Sequence, residues 1–145
     1  MIKIAISGAA GRMGRRIVAL AIESEQFDIV SALERSGHER LGADAGELAG
    51  AGTFGVPLTD ALADQPQVLI DFSQPEATLE WLAACRERGA AMVIGTTGLT
   101  ESQLSEVADA ASDVAIVHAA NMSLGVNLLM RVAAEVAKAL GEDYD

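Results

Sequence analysis

Glycines 8, 11 and 14, in the stretch GAAGRMG, stand directly after the apolar run IKIAI, Ile2–Ile6. The spacing suits a backbone that must come close to a phosphate. Gly8 permits a tight turn, Gly11 lets the chain approach a pyrophosphate, and Gly14 lets a following helix pack against the strand. The helix start adds amide donors and a partial positive charge. Arg12 adds a formal charge beside them. A bare glycine turn is the plain alternative. The second apolar run, DIVSAL (Asp28–Leu33), weighs against it, because Glu34 and Arg35 follow. An acid about 20 residues after the last glycine accepts hydrogen bonds from ribose hydroxyls. A guanidinium next to it suits a 2′-phosphate, which it grips as a fork. Glu34 and Arg35 thus point to a site for NAD, NADP or both, the competing reading being a solvated charge pair.

The elements that must position these groups are legible as alternating patterns. Ile2–Ile6, Asp28–Leu33, Val68–Phe72, Ala91–Gly95 and Val114–His118 are short, rich in branched residues and mostly apolar on both faces. Strands of a parallel sheet covered on both sides read this way. Between them, Arg12 to about Ser24 sets Met13, Ile17, Leu20 and Ala21 on one helical face. Ser73 with Glu76, and Thr100 with Gln103, have capping-box spacing. Pro75 suits a first turn and Gly89 a stop. The alternation predicts an α/β fold, a doubly wound parallel sheet of Rossmann type. Ser36–Pro57 is glycine-rich without a clear period and reads as a long surface excursion. From Ser123 to Gly141 the chain is helical in pattern. Leu124, Leu128, Val132, Val136 and Leu140 form an apolar stripe, and Asn127, Arg131, Glu135 and Lys138 a polar one. Gly141 suits the position after a helix end. We divide the chain into a dinucleotide-binding domain, 1–122, and a helix, 123–145, that begins a second domain.

Composition bounds the function. A chain of 145 residues, half of them hydrophobic, suits one domain that buries a sizeable core. Aromatics are only 3%, so aliphatic residues must build it. The net charge of −11 weighs against nucleic acid and against an anionic membrane surface. No apolar run reaches the roughly 18 residues of a membrane span, and the N-terminal stretch does not read as a signal peptide. The sole cysteine, Cys85, allows no disulfide within the chain and no cysteine-based zinc site, which fits a cytoplasmic protein. No metal-ligand spacing stands out. Cys85 is read as a small buried hydrophobe, and His38 as a solvated loop residue. His118 is a packing residue at a strand end, with a general base as the alternative. Asp71 is read as a turn former, and Glu76 as a cap.

Ligands of open α/β sheets bind outside the carboxyl ends of the strands. There the chain carries DFSQPEAT, MVIGTTG and AANMSLGVNLL, after GAAGRMG and ALER. In this order these segments resemble the N-terminal part of the 4-hydroxy-tetrahydrodipicolinate (dihydrodipicolinate) reductase family of bacterial lysine and diaminopimelate biosynthesis. The resemblance covers essentially the whole chain. It implies that Gly8, Ala9, Ala10, Gly11, Arg12 and Met13 line the pyrophosphate. Glu34 would hold the adenosine ribose, and Arg35 the 2′-phosphate of NADP(H). Gly95, Thr96 and Thr97 would meet the nicotinamide half, Thr97 also the substrate. Ala119, Ala120, Asn121 and Met122 would complete the pocket.

The family continues with a His-His pair, a lysine and a DAPSGT-like loop that take the dicarboxylate and supply the proton. These catalytic residues are expected beyond Asp145, since His38 and His118 stand in neither context. The resemblance thus implies a cofactor domain without its substrate domain, with little activity alone. The complete enzyme would be a homotetramer, and this chain a monomer or weak oligomer. The alternative is a free-standing NAD(P)-binding or redox-sensing module whose last helix meets a partner.

Overall fold

In the computed structural model, which describes residues 1–62 and 65–141, the chain alternates strands and helices from its start. β1 (Ile2–Ser7) leads through α1 (Arg12–Glu23) to β2 (Phe27–Leu33). A short α2 (Ala45–Ala49) and β3 (Leu58–Thr59) follow. The second half runs β4 (Val68–Asp71), α3 (Pro75–Arg88), β5 (Ala91–Ile94), α4 (Glu101–Ala110), β6 (Ile116–His118) and α5 (Leu124–Leu140). The strands form one sheet in the order β3-β2-β1-β4-β5-β6, every pairing parallel. The order reverses between β1 and β4, so both carboxyl ends open onto one crevice, the switch point of a Rossmann-type sheet.

The period of two along β1 divides the core. Ile4 and Ile6 face one side, where they meet Val18 and Ala21 of α1 and Ala45 of α2. Ala5 faces the other, with Leu69 of β4, Leu82 and Cys85 of α3, and Val107 and Ala110 of α4. Each face of the sheet is therefore closed by helices, which is why these strands are apolar on both sides.

Four local expectations change. The buried residues of α1 are Gly14, Val18, Ala19 and Ala21, while Met13 and Leu20 are about half exposed. The helix needs its smallest residue against the preceding turn, and that choice rotates Met13 and Leu20 outward. α3 is capped by Gln74 rather than Ser73, without a side-chain cap bond. The Ser73 hydroxyl is instead donated to Asp71, 2.5 Å away. The glycine-rich excursion contains α2, and β3 was not foreseen, since two residues show no period.

Asp44 organises that excursion. Its carboxylate accepts from the amides of Glu47 (3.0 Å), Phe54 (3.0 Å) and Gly55 (2.6 Å). These bonds, that of Phe54 foremost, hold the Asp44 carboxyl below its ordinary value. The stabilisation is therefore present above the ordinary carboxylate range and lost as pH falls through the lowered value. The expected box at α4 is present, Thr100 accepting from the Gln103 amide and the Gln103 side chain accepting from the Thr100 amide.

α5 buries none of its residues. Its predicted stripe is bare: Leu124, Leu128, Val132, Val136 and Leu140 are all at least half exposed. Among the described residues no helix is long and apolar enough to cross a membrane.

A Cβ on residue 14 would overlap the Gly8 carbonyl oxygen and stand 2.6 Å from the Ala9 Cα, both backbone atoms that cannot rotate away. Gly14→Ala should therefore lower the unfolding free energy by about 1–3 kcal/mol, as overpacked sites do. Urea unfolding followed by circular dichroism checks this; an unchanged midpoint would contradict the packing described.

Candidate functional site

The glycine turn is built by close approach. Gly8 has φ +72°, and a Cβ there would meet the Phe72 carbonyl group, its carbon at 2.9 Å. The turn closes with the Gly11 amide donating to the Gly8 carbonyl at 2.9 Å. Gly11 is the N-cap of α1, with no side-chain cap and no acid in the first turn. The first-turn amides, which have no intrahelical partner, thus have no side-chain cap to satisfy them. Elsewhere α2, α4 and α5 are each capped by a side chain, from Asp44, Thr100 and Ser123.

Besides that of Gly11, two more amides of the turn are already engaged. Ala9 is buried and donates to the Leu33 carbonyl at 3.1 Å. Ala10 donates to Glu34 Oε1 at 3.3 Å, while Glu34 Oε2 accepts from the Arg35 amide at 3.2 Å. Glu34 is thereby fixed at the end of β2 and tied to the turn. Arg12 and Met13 are exposed at the helix start. Arg35 is exposed and makes no ion pair among the described residues.

A cleft of about 540 Å³ joins these groups; Gly8, Gly11, Glu34 and Arg35 line it together with Ser73, Gln74 and Trp81. The structure adds lining residues that the sequence did not disclose: Ser36, His38, Asp60, Glu76 and Glu80. Asp60 follows the unforeseen β3. Glu76, read only as a cap, and Glu80, which the sequence did not single out, stand one turn apart on α3. His38 is half-buried at the cleft edge, its Nδ1 accepting from the Arg40 amide at 3.2 Å.

The other predicted residues lie along the same carboxyl edge, outside that cleft. Gly95 leaves β5 with its amide donating to the Asp71 carbonyl at 2.8 Å, and a Cβ there would press on the Phe72 ring, Cδ1 at 2.8 Å. Thr96 is buried and Thr97 is exposed. Ala119 donates to the Ile94 carbonyl at 3.2 Å. Ala120, Asn121 and Met122 are exposed. The Asn121 side chain accepts from the Ser123 amide, and Asn127 donates to the carbonyls of Asn121 and Ser123. Those amides are spent on the turn into α5.

Asp71, read as a turn former, is fully buried and serves as a hub. Oδ2 accepts from Thr78 Oγ1 (2.5 Å) and Thr96 Oγ1 (2.9 Å), and Oδ1 from Ser73 Oγ (2.5 Å). His118 is exposed rather than packed. Cys85 is fully buried, and burial pushes its thiol up to about 11, with nearby Asp71 adding to the rise and Arg88 opposing it.

Glycines that admit no Cβ, an uncapped helix start and a fixed acid at the end of β2 fit a dinucleotide. With the strand order they define a dinucleotide-binding domain of Rossmann type. The model of the family described as dihydrodipicolinate reductase, N-terminus, matches residues 2–122, and the chain belongs to that family. A solved structure of dipicolinate-bound dihydrodipicolinate reductase from Paenisporosarcina sp. TG-14 is similar, with a TM-score of 0.73 and 25% identity. The match covers 94% of this chain and 54% of that one. A dehydrogenase from Chromobacterium violaceum shares the fold, with a TM-score of 0.65 at 19% identity over 91% of this chain and 40% of its own. The chain thus spans about half the length of the first relative and less of the second.

The thiol chemistry gives a direct test. Only the thiolate reacts with alkylating agents, so native Cys85 should resist iodoacetamide at pH 8 and react fully in urea. Intact mass before and after denaturation reads the outcome. Rapid labelling of the folded chain would contradict its burial.

Proposed function

We propose that this chain binds a reduced nicotinamide dinucleotide and presents it for reduction of 4-hydroxy-tetrahydrodipicolinate to tetrahydrodipicolinate, in lysine and diaminopimelate biosynthesis. The observation that carries the reading is the uncapped start of α1 behind a turn whose Gly8 admits no Cβ, with Glu34 tied to that turn 3.3 Å from the Ala10 amide. The first-turn amides of α1 and Arg12 would meet the pyrophosphate. Glu34 would accept from the adenosine ribose. Arg35 would take a 2′-phosphate where one is present. The loop from Gly95 to Thr97 would face the nicotinamide half, with Thr97, the exposed threonine, toward the substrate. Ala119–Met122 would close the far end. Bound there, the nicotinamide supplies the hydride.

No residue of this chain is proposed as the proton donor. Residues 1–122 would form the cofactor domain, and α5 would begin a portion that brings the dicarboxylate. The bare stripe of α5 supports that division, because contiguous apolar surface of this kind marks an interaction face. The same stripe would serve the second reading, a module that binds NAD(P) and a partner without catalysis. Size-exclusion chromatography with and without cofactor separates the two, a cofactor-dependent change of mass favouring the module.

Calorimetric titration tests the site. NADH and NADPH should both bind, and the chain assayed alone should turn over little substrate. Arg35→Ala should weaken NADPH by about tenfold or more, the scale of a charged hydrogen bond, and NADH far less. Equal losses for both cofactors would remove Arg35 from the site, and no binding of either would remove the function proposed.

A further inference from the structure

The loops after β4 and β5 are interlocked by side chains that no dinucleotide motif names. The Thr96 hydroxyl is used twice, donating to Asp71 Oδ2 at 2.9 Å and accepting from the Ser73 amide at 3.0 Å. Thr96 is 3% exposed, so its hydroxyl is turned inward and committed. Thr96 and Thr97 follow β5 in a loop, where the first is held inward and its neighbour is exposed. Asp71 itself is held by Thr78, in the second turn of α3, and by Ser73. Burying so polar a cluster is costly unless its members are paired, and no buried side-chain polar atom among the described residues lacks a partner.

We propose that Asp71 is a positioning residue: acting through Thr96, it sets the bearing of Thr97 and so the nicotinamide half of the site. The inference rests on the dinucleotide reading above. Of the cluster only Ser73 lines the Glu34–Arg35 cleft, whose acid and glycine turn are held by other bonds, Ala10 donating to Glu34 and Gly11 to Gly8. The backbone there is kept in place by the pairing of Ser7 with Asp71, which does not use the carboxylate. Loss of the Asp71–Thr96 bond should therefore damage one half of the site and spare the other.

The test compares whole cofactors with their adenylate halves: NADPH against 2′,5′-ADP, and NADH against AMP. The proteins are wild type, Thr96→Val, Thr96→Ser and Asp71→Asn, each checked for a cooperative melt. Thr96→Val keeps the shape and removes the hydroxyl. It should weaken the whole cofactor by about tenfold while the adenylate fragment changes by less than about twofold. Thr96→Ser restores the hydroxyl and should restore binding. Asp71→Asn should follow Thr96→Val; if it does not fold, the threonine pair decides. Equal losses for cofactor and fragment, no loss in Thr96→Val, or no rescue by serine would each overturn the inference. So would a wild type that binds whole cofactors no more tightly than fragments. A wild type that binds none of the four ligands would overturn the dinucleotide reading, and this inference with it.

Discussion

Of the glycines, the tightest fit is at Gly14, where α1 meets the turn before it. The helix enters so near the Gly8 carbonyl that no side chain fits at position 14. This contact fixes where the amides of the first turn point. It also fixes which stripe of α1 meets the sheet, since Gly14, Val18 and Ala21 must share the inner face. The rest of the crevice is arranged around that helix start. β4 lies beside β1, and its first loop residue, Phe72, abuts Gly8 by its carbonyl and Gly95 by its ring. One aromatic residue thus sits between two glycines from different strand ends: fixed backbone and a positive φ bar a side chain at Gly8, and the Phe72 ring crowds one at Gly95.

The second organising feature is polar. At the carboxyl edge the sheet runs out of ladder bonds, and the loops need other partners. Asp71 provides them for three segments at once, through Ser73, Thr78 and Thr96. Such a cluster is short-ranged and directional, whereas the hydrophobic faces on either side are neither. The aliphatic cores hold the sheet and helices together; the hydroxyl cluster decides how two loops face the crevice. Glu34 does the same at the other end, joining β2 to the glycine turn through one bond to Ala10.

How much of this was legible follows from the range of each interaction. β1, β4 and β5 were readable because burial on both faces leaves an apolar run in the sequence itself. The capping box at Thr100 spans three residues and was readable for the same local reason. The box proposed at Ser73 failed because α3 starts one residue later, with Gln74 as its N-cap, and the Ser73 side chain is turned to Asp71. Asp71 in turn depends on Thr96, distant in sequence and adjacent only once β4 and β5 pair. Met13 and Leu20 were misplaced because a helical period allows more than one apolar stripe, and steric fit at Gly14 chose between them. Of the candidate site, the glycine turn and Glu34–Arg35 were legible. The acidic wall of Asp60, Glu76 and Glu80 was not, since it forms only where α3 and the end of β3 converge.

α5 shows the opposite balance. Its start is well specified: Ser123 accepts from the Val126 amide, and Asn127 reaches back to the carbonyls of Asn121 and Ser123. Its body is not held by packing, since it buries no residue. Helices in proteins draw most of their stability from an apolar face that is covered. The polar turn at Asn121–Ser123 therefore determines where α5 begins, and the apolar stripe gives it something to gain by being covered. That turn also follows β6 at the carboxyl edge of the sheet, so a protein surface that packs on Leu128, Val132 and Val136 would be tethered to that edge.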